Sequence, residues 1–138
     1  MTAAAALRAA VQAEHAAIYV YGVLGAQTSA TAQPELHAAL VAAYAQHRAR
    51  RDQLVARMRD LGETPPAAAP AYDVPPRLDD VAVVREQARR VEAACAATYA
   101  HLVGSSTGSL RRWAIGALTD AAVRGLTFGA EPEVLPGT

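Results

Sequence analysis

The sequence predicts an all-α protein: an antiparallel four-helix bundle made of two hairpins joined by a long proline-rich crossover. Three observations predict it. Residues 3–30 contain no proline and are led by Ala, with Leu, Gln and Glu, all good helix formers. Residues 63–78, ETPPAAAPAYDVPPRL, hold five prolines and cannot be regular helix. No stretch shows the period-two alternation of a half-buried strand, and the β-branched residues are scattered.

The first helix spans about 3–30, with Thr2 as its cap and Gly22 and Gly25 weakening its last third. Thr28, Ser29 and Thr31 lead to Pro34, which suits the first turn of a second helix over about 34–61. Gly62 stands where a helix ends, and the crossover occupies 62–79. Asp79 or Asp80 caps a third helix over about 80–103. After the polar turn Gly104–Ser109, Ser106 or Thr107 caps a fourth over about 108–128, followed by a tail with Pro132 and Pro136. Each helix is about 30–40 Å long at helical rise. Short first and third links make two antiparallel hairpins, and the middle link is long enough to run the length of the bundle.

Length and composition bound the rest. The chain has 138 residues, enough for one domain. Its 13 basic residues are all Arg and balance 13 acids, for a formal net charge of zero, which argues against a general nucleic-acid binder. Charged residues punctuate every long segment, so no membrane span is expected. The N-terminus lacks signal-peptide regions, and Cys95 alone can form no intramolecular disulfide, so the expected compartment is the cytoplasm.

The inward rows carry polar residues. In helix 1 the row runs Leu7, Val11, Glu14, Ile18, Tyr21, Gly25; in helix 2, Leu40, Tyr44, His47, Arg51, Leu54, Met58, Leu61. Helix 3 gives Val81, Val84, Ala88, Val91, Cys95, Thr98, Leu102, with Glu92 at the flank. Helix 4 gives Leu110, Trp113 or Ala114, Ala117, Ala121 and Phe128, with Asp120 beside the row. Glu14 and Asp120 are each the only acid of their helix. Counted from turn centres near residues 32 and 106, Glu14, His47, Glu92 and Asp120 all fall at mid-bundle, where a seam carboxylate needs a partner or a metal. A shift of 78 residues aligns Glu14 with Glu92, Ala16 with Ala94, Tyr21 with Tyr99 and Leu24 with Leu102; a shift of 76 aligns Arg48 with Arg124.

The phrases AALRAAVQAEHAAIYVYGVLG, AYAQHRARRDQL, RVEAACAATYAHL and ALTDAAVR resemble a small uncharacterised actinobacterial family of the ferritin-like superfamily, over nearly the whole chain. The Ala bias and the use of Arg for Lys also look like a GC-rich genome. The superfamily holds two metals with a Glu from each of two helices and a Glu-x-x-His from each of the other two. By that resemblance Glu14 matches the first Glu, His47 the second-helix His and Glu92 the third-helix Glu, while Asp120 stands in the place of the fourth-helix Glu. Tyr44 and Val123 stand where the pattern needs a Glu and a His, so four of six ligands remain. The resemblance brings no established activity.

Two readings of Glu14, His47, Glu92 and Asp120 follow. One is a degenerate metal site for iron or manganese. The other, favoured, is a buried polar network inherited from a metal-binding ancestor, without bound cofactor, in which Arg48, Arg51 or Arg124 replaces the cation and Tyr44 lies close by. The hydroxyls of Tyr19, Tyr21, Tyr44 and Tyr99 are expected to hydrogen-bond the central acids in preference to lining a substrate or radical path. His15 points about 100° away from Glu14 and reads as a surface or dimer-face residue; His37 and His101 read as ordinary polar positions near hairpin ends. Cys95 reads as a packed thiol. The Arg-rich end of helix 2 suits a solvated helix C-terminus. Ser105, Ser106 and Ser109 form no nucleophile arrangement, and no glycine loop for phosphate is present, so no catalytic residue is assigned. The expected function is a non-catalytic or vestigial helical-bundle protein, a homodimer through Ala-rich helix faces, any other protein partner being unknown. The alternative is a carboxylate-bridged di-iron or di-manganese oxidoreductase.

Overall fold

Four helices follow one another: α1 (Ala3–Gln27), α2 (Pro34–Asp60), α3 (Val81–Ser105) and α4 (Gly108–Thr127). This architecture comes from a computed structural model, which describes residues 2–138. Among the described residues there is no strand, and no helix is long and apolar enough to cross a membrane.

Local chemistry sets the boundaries. Thr2 accepts a hydrogen bond from the Ala5 amide at 3.1 Å and opens α1. This helix stops three residues short of the expected 30, because the Thr28 hydroxyl turns back to the Leu24 carbonyl at 2.8 Å. Pro34 occupies the first turn of α2. At its far end Gly62 takes φ +74°, and the Glu63 amide returns to the Met58 carbonyl at 2.9 Å. Asp80 caps α3 through the Ala82 amide at 2.9 Å. The third helix continues through Gly104 to Ser105, past the expected 103, and the Ser106 hydroxyl closes it on the Leu102 carbonyl at 2.5 Å.

Helix α1 packs on α2 and α3, α4 packs on α3, and α2 barely touches α4. The expected pairing of helices into hairpins is therefore observed. Tyr21 meets Glu92 while Glu14 meets Tyr99, so α1 and α3 run antiparallel. The core is built from Leu7, Val11, Leu24, Leu40, Leu54, Met58, Leu102 and Phe128, all fully buried, each such side chain contributing about 1.5–3 kcal/mol. The face of α4 toward α3 is Ala114, Ala117, Ala121 and Gly125, small enough for close approach.

The buried rows differ from the expected ones at several positions. Ala17 and Leu24 replace Ile18 and Gly25 on α1; Ala43 replaces Tyr44 on α2, and Leu61 is exposed. On α3, Glu92 and Tyr99 are buried while Val91 and Thr98 sit on the shoulders. The observed rows still step by threes and fours; only the order of the steps differs, because residues at i+3 and i+4 flank the same seam and the packed neighbours decide which of them turns inward.

The crossover lies along α1. Arg8 donates to the Thr64 carbonyl at 2.9 Å, His15 Nε2 meets the Pro66 carbonyl at 3.0 Å, and the Tyr19 and Tyr72 rings sit 5.6 Å apart. The tail after α4 folds back onto α3: Gly137, at φ +79°, lies so close that a Cβ there would stand 2.4 Å from the Ala96 carbonyl oxygen.

Candidate functional site

The middles of α1, α2 and α3 bring Glu14, His47 and Glu92 together, all three buried. His47 lies between the acids. Its Nδ1 is 2.5 Å from Glu14 Oε2 and its Nε2 is 2.8 Å from Glu92 Oε1. A carboxylate can only accept, so both ring nitrogens carry protons and the side chain is an imidazolium. Tyr99 donates to Glu14 Oε1, and Tyr21 donates to Glu92 Oε1 at 2.6 Å. The Tyr21 ring also stacks on His47, with centroids 5.2 Å apart.

The electrostatics follow from burial and these bonds. Burial alone would drive the His47 proton off, but the Cys95 sulfur against the ring and the hydrogen bonds His47 donates to Glu14 and Glu92 outweigh it and push the pKa up to about 12. Burial raises the Cys95 thiol to about 11, with the His47 contact pulling it part of the way back. Both tyrosines are held well above their ordinary value, first by burial and then by the adjacent carboxylates. They are therefore hydrogen-bond donors throughout the neutral range.

Among the described residues two buried side-chain atoms lack a hydrogen bond, Arg50 Nε and one in the cluster itself. Glu92 Oε2 is buried and has no donor; while His47 bonds the other oxygen, the Arg124 guanidinium approaches this one, with Nη1 3.8 Å away. Burial works against the Arg124 charge, but the Asp120 bond and the Glu92 charge more than compensate and raise its pKa. Two buried carboxylates, one buried imidazolium and this part-exposed guanidinium make a set whose charges sum to zero.

Asp120, expected beside the other three, is not among them. Its side chain is 32% exposed and is gripped by Arg124 one turn later, at 2.8 and 3.1 Å, with Arg50 at 3.7 Å. Because α4 turns 114, 117, 121 and 125 inward, position 120 lies on the shoulder of the helix. Asp120 thus holds Arg124, which alone of the expected arginines faces the cluster. Arg48 lies over the Tyr44 ring at 5.7 Å, and Arg51 pairs with its neighbour Asp52 at 3.0 Å. Tyr44 is half-buried against Gly22 and has no hydrogen bond to the acids. Val123 is exposed, so no ligand could enter the centre from that position.

Cys95 belongs to the site and was read from sequence only as packing. Its position three residues after Glu92 places it on the same helix face, which was the available signal. Glu14, His47 and Cys95 each present one ligand atom within 4.8 Å of the others. A dinuclear carboxylate-bridged centre does not fit these residues. Three of its four candidate ligands converge, and their atoms already bond one another or the tyrosines. A single cation on Glu14, His47 and Cys95 would have to displace protons from an imidazolium and a buried thiol.

Residues 6–138 match the model of a family described as Domain of unknown function (DUF4439). The structure is similar to that of a conserved hypothetical protein, rv2844, from Mycobacterium tuberculosis. The TM-score is 0.81 at 33% sequence identity, and the match covers 90% of this chain and 92% of that one. No curated protein matches.

Proposed function

The chain belongs to the DUF4439 family, a domain without an assigned activity, and from that premise we propose that it is a non-catalytic, vestigial ferritin-like bundle acting through helix-packing contacts. In this reading an ionic network stands where its ancestors held metal. The observation that carries it is His47, hydrogen-bonded through both ring nitrogens to Glu14 and Glu92. The charge that would neutralise paired carboxylates is already supplied by a side chain, and Arg124 supplies the next. A reducing, cytoplasmic setting accompanies the reading, supported by the free, buried Cys95.

The second reading is a metal-binding protein, with an oxidoreductase as its catalytic form. It is favoured by the compact Glu14, His47, Cys95 group and by Glu92 Oε2, a carboxylate oxygen with no donor. Mass spectrometry for metal content separates the two, after tag-free purification and anaerobic loading with Fe(II) and Mn(II). The ionic network predicts background metal in wild type, His47→Ala and Glu92→Ala alike. Near-stoichiometric metal in wild type, lost in both variants, would overturn it and call for an oxygen-consumption assay.

A further inference from the structure

We infer that the outer face of α4 is the seam of a two-fold dimer between two copies of this chain. The inference rests on the reading of the protein as one that works through packing contacts, although its test reads mass and not metal. The two can therefore fail separately.

Helix α4 has one substantial neighbour, α3, and the opposite side of α4 is apolar. Ile115, Val123 and Leu126 are 48%, 57% and 44% exposed, with the uncharged Gly116, Thr119 and Ala122 between them. Single exposed apolar residues are ordinary. Here Ile115, Val123 and Leu126 share one face, and with the uncharged Thr119 and the part-buried Ala122 they follow the three-and-four spacing of a helix seam that lacks its partner.

Charge selects the occupant. Arg112 precedes this stripe on the same face. Alongside its other half, the tail folds back so that Glu131 and Glu133 line one groove with Thr119, Val123 and Leu126; Arg89 of α3 also lines it and is turned to the Phe128 carbonyl at 2.8 Å. Among the described residues, Arg112, Glu131 and Glu133 form no ion pair within the chain. The face is thus positive at one end, negative at the other and apolar between. Two copies laid antiparallel bring each end of the face toward its opposite. Thr119 lies midway between Ile115 and Val123, so a two-fold axis there sets Ile115 of each copy on Val123 of the other. The same axis carries Arg112 to the level of the partner's Leu126, which lines the groove that holds the tail acids. A parallel pair would oppose like charges instead. Self-complementarity of one patch about one axis is what an isologous dimer requires.

Sedimentation equilibrium on the full chain tests the inference. Wild type should sediment at twice 14.4 kDa. Val123→Glu, a change at an exposed position, should weaken association by at least about tenfold. Arg112→Glu should also weaken it, and adding Glu131→Arg and Glu133→Arg should restore it. Under mild oxidation Thr119→Cys, on the axis, should form a cross-linked dimer, whereas Ser109→Cys should not. A wild type that stays monomeric at millimolar concentration would overturn the inference and leave the face to a different protein. A dimer unmoved by Val123→Glu and not cross-linked by Thr119→Cys would overturn it equally.

Discussion

The Tyr99 hydroxyl on α3 donates to Glu14 on α1, 85 residues earlier in the chain. The reverse bond is also present, Tyr21 on α1 donating to Glu92 on α3. Each acid is followed seven residues later by a tyrosine on its own helix, and each tyrosine serves the other helix's acid. The antiparallel course of α1 and α3 makes the exchange reciprocal, and His47 from α2 joins the two halves.

The two tyrosines are not equivalent. Glu92 Oε1 accepts from both Tyr21 and His47, whereas Glu14 Oε1 accepts from Tyr99 alone. Tyr99→Phe strands a buried carboxylate oxygen and should cost about 1–3 kcal/mol, with Tyr21→Phe costing less. Urea denaturation of both variants at neutral pH checks the order.

Removing the central cation should do more harm. His47→Ala leaves two buried carboxylates facing each other, and Glu14→Ala leaves an imidazolium short of a partner. Each should destabilise the fold by about 3–5 kcal/mol. The double variant should cost far less than the sum, because each single change strands a charge that the pair removes together. A double-mutant cycle from denaturation midpoints measures the difference.

The raised His47 pKa fixes a pH dependence. The unfolded imidazole loses its proton as pH passes 6.5, while the folded one keeps it to about 12. Below 6.5 the stabilisation is complete; from there to about 12 it declines as pH rises, by up to about 1.4 kcal/mol per unit. Cys95 adds a loss of the same sign between 9 and about 11. Denaturation midpoints measured from pH 6.5 up to pH 9 therefore isolate the histidine. Wild type should weaken steadily across that window, and His47→Ala should show a flatter profile.

Gly137 seats the tail. With φ +79° and no room for a Cβ beside the Ala96 carbonyl, Gly137→Ala should unseat residues 130–138 from α3. Amide hydrogen exchange should rise in that segment and stay unchanged in α1 and α2.

Much of this was legible in the sequence because proline and glycine mark boundaries through backbone geometry, whatever the tertiary context. Pro34, Gly62 and the prolines of 63–78 placed the elements to within a few residues. Glu14, His47 and Glu92 could be found because charges at inward positions are conspicuous. Asp120 was misplaced by a shoulder: counting along a helix gives its level in the bundle, while its side is fixed only when the packed face is known. Arg124 was one of three arginines that could replace the cation, and only the packed face of α4 singles it out from Arg48 and Arg51. Cys95 looked like any small apolar residue, and only the approach of α2 puts an imidazole against its sulfur. Of the tyrosines expected to reach the acids, Tyr21 and Tyr99 do so, while Tyr19 packs on Tyr72 and Tyr44 lies under Arg48.

Arg8 and His15 hold the crossover by the carbonyl oxygens of Thr64 and Pro66, atoms that every amino acid possesses. At Thr64 and Pro66, therefore, the path is dictated from α1, and the letters at those two places can be rewritten with little effect on where the chain runs. Farther along, Tyr72 against Tyr19, with Val74 and Leu78 on the core, holds the segment by its own side chains. Inserting or deleting residues between the two kinds of grip would pull them out of step. Variation should therefore be free in spelling at the first grips, restricted at the later ones and strict in length throughout.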